Sequence, residues 1–205
     1  MSPLKSAGLL LFISSVVLIL GFIAAEAFYP TYNLSHNKLS DLGARAPISI
    51  LPVPASDASI YQPSSFIFNS IVSLSGVCLA TASLLIGRGS GSKILATLLF
   101  VTGIGAILVG GLTEQMGMIH YIGAMLIFVI GPLAAIASSR SVKPPLSYLF
   151  IAMGLISLAF VPIVAMDIFN ALNTYTVAET GGAENMIVYP FILWLLAFGT
   201  YLMKD

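Results

Sequence analysis

The chain has 205 residues, 58% of them hydrophobic and only 8% charged, with a formal net charge of zero and a mean hydropathy of +1.02. One water-soluble core cannot bury that much apolar surface, so the composition excludes an ordinary soluble domain and indicates a membrane chain. The balanced charge gives no reason to expect a nucleic-acid partner, and the single cysteine, Cys78, excludes an intramolecular disulfide and a thiolate metal cage.

In chain order, six segments reach the roughly 20 apolar residues that a bilayer crossing needs: 7–28, 64–87, 94–113, 119–138, 147–169 and 185–203. They predict an all-α, polytopic membrane helical bundle of six transmembrane helices forming one domain over 1–205. Lys5 followed by an apolar run and the small residues Ala25 and Ala27 also resembles a signal peptide. The run exceeds the roughly 7 to 15 residues of such a segment, so an uncleaved first helix is expected. Lys5, Arg88, Lys93, Arg140, Lys143 and Lys204 all fall at one face of such a bundle. By the positive-inside rule that face is cytoplasmic, which gives an N-in/C-in protein of the cell membrane. Lys38 and Arg45 are the exceptions, and both lie in the long first connection. Seven acidic residues, Glu26, Asp41, Asp57, Glu114, Asp167, Glu179 and Glu184, fall at or beyond the opposite, outer face.

The first outer connection, 30–63, is long, polar at its start and proline-rich from Pro47 to Pro63. Connections of that length without regular structure are usually functional or disordered. Leu39 and Leu42, three apart, predict a short amphipathic helix lying on the membrane surface and stopped by Gly43. The second outer connection, 170–184, reads as a solvated polar loop. Within the spans, Ala106 and Gly110 form a small-xxx-small pair suited to close helix packing, Pro132 and Pro162 predict kinks, and Tyr29, Tyr32, Tyr121 and Tyr189 suit an interfacial belt. No charge lies near a midplane, which disfavours ion-coupled transport.

The stretch Asn37, Lys38, Leu39, Ser40, Asp41, Leu42, Gly43, the Phe68–Asn69 pair opening the second span, and Glu114 followed by His120 after the third together resemble a prokaryotic membrane family known as DUF998. The resemblance implies a six-span architecture and no particular reaction.

Threading the spans places Glu26, Asn69, Glu114, His120, Asp167 and Glu184 at one outer level, with His36, Lys38, Asp41 and Arg45 on the loop above them. Ionisable groups so near hydrocarbon usually face the bundle interior, paired or wet. Two functions suit that rim. In the first, a polar pocket lined by Glu26, His36, Asn69 and Asp167 binds a lipid headgroup, a small solute or a partner protein. In the second, a membrane enzyme acts on a lipid-linked substrate at the outer leaflet, with Glu114 and His120 as acid/base pair and Asp41 in support. A divalent metal held by His36, His120 and Glu114 would serve the same end. A plainer role for Glu114 and His120 is a carboxylate–imidazole hydrogen bond closing their hairpin, and for Asp41 a cap or ion pair with Lys38 or Arg45. Convergence of His36, His120 and a carboxylate favours the metal, and an apolar filling favours binding.

Overall fold

In a computed structural model the described residues are 2–47, 49–90, 92–174 and 180–204, with side chains described up to Phe169 in the segment that ends at 174. They are helical, with no strand among them beyond a single antiparallel bridge between Arg45 and Ser59. The helices are α1 (Pro3–Ala27), α2 (Asp41–Ala44), α3 (Ser64–Gly89), α4 (Lys93–Gly111), α5 (Met118–Met125), α6 (Gly131–Ser138), α7 (Leu146–Thr174) and α8 (Gly181–Met203). A π-helical turn, Leu126–Ile130, joins α5 to α6, so these two make one crossing, Met118–Ser141. Six crossings result, as expected from the hydropathy.

The π turn sits immediately before Gly131 and Pro132. Proline removes a backbone donor and crowds the preceding turn, and widening that turn accommodates it without ending the helix. The crossings close into a ring in the order α1, α3, α4, α5/α6, α7, α8, with α8 returning to α1. Apolar side chains such as Leu20, Phe66, Leu74 and Leu155 stay exposed on its outside. In a membrane protein they meet lipid tails, so apolar burial does not drive these contacts. Small residues set the contacts instead. A Cβ on Gly76 would lie 2.7 Å from Gly103 O and one on Gly103 would lie 2.8 Å from Gly76 O, which seals α3 on α4; Gly8 and Gly199 do the same for α1 and α8. Of the expected small pair, Gly110 does touch α3, at Ser73 and Asn69, whereas Ala106 faces a central cavity. On the far side Phe191, Trp194, Phe198 and Phe150 form a ring-to-ring ladder, and Trp194 Nε1 donates to Ser138 Oγ at 2.8 Å.

The connection between α1 and α3 folds down into one end of the ring. Asp41, Leu42, Gly43 and Ala44 are all buried, as is Leu39, so α2 is a plug inside the bundle and not the expected surface helix. The leucines are apolar because they enter the lumen. Gly43 lies inside α2 and terminates nothing: a Cβ there would lie 2.6 Å from Asn69 Oδ1 and 2.8 Å from Phe68. Ser64 and Ser65, at the start of α3, donate to the carbonyls of Leu42 and Gly43 and so satisfy the end of the short helix. Tyr29 and Tyr121 are buried, and Tyr29 packs edge-on against Tyr32 and Tyr61 instead of standing in an interfacial belt. The second connection is likewise more than a solvated loop. Residues 175–179, Glu179 among them, lie outside the described residues, but Thr180, Gly181, Glu184 and Asn185 are buried under the plug.

Replacing Gly103 by Leu forces a side chain into the α3 backbone and is expected to cost about 1–3 kcal/mol. Gly111→Ala, which meets nothing within 4 Å, is the control. Thermal unfolding in detergent should separate the two, and equal midpoints would contradict the sealing role of the Gly76–Gly103 contact.

Candidate functional site

The plug is fastened by polar groups from all sides of the ring. Asp41 Oδ2 accepts from Asn37 Nδ2 and from Lys38 N, both at 3.1 Å, and Arg45 Nε approaches it at 3.9 Å. Asp41 is thus the ion-pair partner of Arg45 and holds the Lys38 backbone, while α2 has no side-chain cap. Ser40 Oγ donates to Glu114 Oε1 at 2.7 Å, and Ala46 N donates to Glu114 Oε2 at 3.1 Å. Lys38 Nζ lies 3.1 Å from Asp167 Oδ2, which also accepts from Thr180 Oγ1 at 3.1 Å. From α8, Asn185 Nδ2 donates to Leu34 O, and Glu184 lies against the Ser40 backbone. Gly181 is pressed so closely on the Asn37 carbonyl that a Cβ there would clash with its oxygen.

The resulting junction buries four carboxyl groups, Asp41, Glu114, Asp167 and Glu184, around one ammonium. Burial alone would depress the Lys38 ammonium, but Glu114, Asp167 and Glu184, with the hydrogen bond to Asp167, together hold it above its ordinary 10.5. Lys38 is therefore charged. Asp41 moves the other way from a normal surface acid: burial and then the Glu114 charge raise its carboxyl above 3.8, against the lowering effects of Asn37, Arg45 and Lys38.

Beneath the plug lies a narrow cavity of about 60 Å³ inside the ring. Its walls are apolar, from Leu18 and Phe22 of α1 through Val72 and Leu79 of α3 to Phe191 and Ile192 of α8. At the plug end it meets Ser40, His120 and Glu184, and deeper down Ser75 and Thr102. His120 is 2% exposed, and its Nδ1 lies 2.6 Å from Leu112 O. A carbonyl only accepts, so Nδ1 carries the proton. This bond, and not one to Glu114, closes the α4–α5 hairpin.

A sequence profile of the family described as protein of unknown function (DUF998) matches residues 12–201. The chain belongs to that family. Searches of curated proteins and of solved structures returned no match. For this DUF998 protein the site therefore has to be read from its own geometry.

The residues expected to form one rim do not stay together. Asp41, Glu114 and Asp167 converge on the plug, and His120 lines the cavity. Asn69 supports the plug from below, its Nδ2 donating to Ser65 Oγ at 3.2 Å and its Oδ1 facing Gly43. Glu26 stands apart, half-buried, with Tyr189 OH donating to it at 3.5 Å. His36 is exposed on the loop while His120 is buried, and both Glu114 oxygens accept from the plug. Among the described residues no group of three or more His, Cys, Asp or Glu side chains is placed to hold a metal, so the set His36, His120, Glu114 does not assemble here. Lys38 and Glu184, which the sequence places at that level without a role in the site, are central to it, and so is Ser40, which it leaves out. Lys38 carried a signal, since a lysine at the end where basic residues are rare needs a partner.

Lys38→Met leaves Asp167 buried beside three other carboxyls and is expected to weaken plug docking by about 3–5 kcal/mol, while Lys38→Met with Asp167→Asn recovers most of that loss. Hydrogen exchange of the backbone over 33–46 measures both. Additive effects in the double variant would contradict the pairing.

Proposed function

We propose that this protein binds a slender amphiphile inside the ring, its apolar chain in the cavity and its polar head against Ser40, His120 and Glu184. The observation that supports this most directly is the lining itself: a continuous apolar wall with three polar side chains collected at one end. Ligand sites are commonly largely apolar with a few placed polar groups. A cavity of about 60 Å³ admits a few waters or about three or four carbons of a single hydrocarbon chain, and is too small for a two-chain lipid. The plug, docked through Lys38 and Asp41, closes the site from above.

With the six basic residues Lys5, Arg88, Lys93, Arg140, Lys143 and Lys204 all at the end away from the plug, the positive-inside rule favours N-in/C-in insertion in the cell membrane with the plug extracytoplasmic. The amphiphile then comes from the outer leaflet. A second reading, an enzyme acting there on a lipid-linked substrate, is favoured by one contact: the Ser40 hydroxyl is held by the Glu114 carboxylate at 2.7 Å while both Ser40 and His120 line the cavity.

Protein purified in mild detergent should carry a copurifying amphiphile by native mass spectrometry, and Ala106→Phe, which fills the cavity wall, should lose it. His120→Ala should weaken retention without preventing insertion. Equal occupancy in wild type and Ala106→Phe would overturn the binding reading. A steady change of the bound species into a product, abolished by Ser40→Ala, would favour the enzyme. Orientation is tested separately: a Ser90→Cys variant in intact cells should resist an impermeant maleimide, and its labelling from outside would reverse the topology.

A further inference from the structure

The polar end of the cavity has a bias that names the guest more closely, granted the amphiphile-binding reading above. Two of the three polar side chains there have already given away their protons. Ser40 Oγ donates its hydrogen to Glu114, so only its lone pairs remain for the cavity. His120 gives its Nδ1 proton to Leu112 O, so in the neutral ring Nε2 is an acceptor. The third, Glu184, is an acid able to yield a proton to a basic guest. Two acceptors and one acid therefore meet at the plug end of an apolar shaft. Deeper in the shaft Ser75 Oγ is 1% exposed and has no hydrogen-bond partner, which leaves the cavity lining incompletely satisfied without a guest.

Charge points the same way. The junction holds Asp41, Glu114, Asp167 and Glu184 against Lys38 and the half-exposed Arg45. Among the described residues the ion pairs here are Lys38–Asp167 and Arg45–Asp41, and Glu114 and Glu184 have no cation within 4 Å. An acid in a water-poor site is costly to ionise alone, and a basic guest that takes the Glu184 proton becomes the cation that offsets that cost. A phosphate or carboxylate head would instead confront two acceptors and a junction with more carboxyls than cations.

We infer that the site is built for a single-chain primary amine, whose ammonium supplies three N–H donors to Glu184, His120 Nε2 and Ser40 Oγ and whose chain runs down the shaft. On α3 the lining extends from Val72 to Leu79, a rise of about 10 Å, which fits a short alkyl chain.

The test uses the full-length protein in nanodiscs, titrated calorimetrically with n-butylamine, n-butanol, n-butyl phosphate and N,N,N-trimethylbutylammonium, with Ala106→Phe as the reference for partition into lipid. Wild type should bind the amine most tightly, the alcohol next and the phosphate least. Trimethylation keeps the charge but removes every N–H, and should weaken binding by roughly tenfold or more. Glu184→Gln should cost the amine a similar factor and change the alcohol far less. If the amine binds no tighter than the alcohol, or the trimethyl compound equals the amine, the ammonium inference fails while cavity binding stands. If neither the alcohol nor the amine distinguishes wild type from Ala106→Phe, the binding reading itself falls. The trimethyl comparison needs no variant, so a misfolded Glu184→Gln protein leaves the inference open to refutation.

Discussion

The architecture depends on one buried ammonium. Lys38 reaches from the first connection to Asp167 on α7, and in doing so draws Leu39, Ser40, Asp41 and Leu42 into the end of the ring. A buried ion pair is seldom a net source of stability, because desolvation of both partners offsets the attraction. Its value lies in register. The same leucines could rest on a bilayer surface at little cost, but an ammonium that must meet one carboxylate fixes how deep the plug sits and which face of α2 turns toward α3. Ser64, Ser65 and the space over Gly43 then complete a fit that the ion pair has already aligned.

The plug in turn explains why the carboxyl groups are tolerated. Glu114 ends the α4 hairpin and would face the lumen unpartnered if the loop were absent. With the loop in place its oxygens accept from Ser40 Oγ and Ala46 N, so a residue distant in sequence satisfies what its own helix cannot. Asp167 is served in the same way by Lys38, which also offsets the charge of Glu184. The loop and the acidic helix ends are mutual requirements: neither would be stable beside hydrocarbon without the other.

Much of this was legible before any coordinates. Six crossings followed from runs of apolar residues, since length and hydropathy are local properties. The shared level of Glu114, His120, Asp167 and Glu184 followed from alternating direction alone. The position of the loop did not follow. Leu39 and Leu42 at helical spacing give one and the same pattern for a helix on a membrane and a helix in a lumen, because both bury one apolar face. What distinguishes them is Lys38, one of two basic residues at an end otherwise without them, whose partner lies far along the chain. His36 misled for a related reason. A histidine beside a conspicuous motif suggests a ligand, but its neighbour Asn37 turns inward to Asp41 while His36 is carried outward to solvent. Glu114 and His120 were expected to bond each other across the hairpin. Each found a better partner, Glu114 in the plug and His120 in the Leu112 carbonyl.

The lumen itself is a consequence of how the ring is sealed. Gly76 against Gly103, Gly8 against Gly199 and Gly105 against Gly123 bring neighbouring helix backbones nearly into contact around the circumference. Such contacts strengthen the wall and contribute no side chains to the centre, so a ring of six cannot fill its own middle. Phe22 and Phe68 stack across the gap at 5.7 Å between centroids, and Leu39 enters from the plug, yet a cavity persists below them. Natural interiors are close-packed, and voids of this kind are disfavoured unless something occupies them. The small residues that make the wall tight thus also make the space, and the plug that closes it brings Ser40 to its mouth with every proton already committed. Packing, charge and hydrogen bonding converge on the same end of the same cavity, and that coincidence is what supports the proposed binding role.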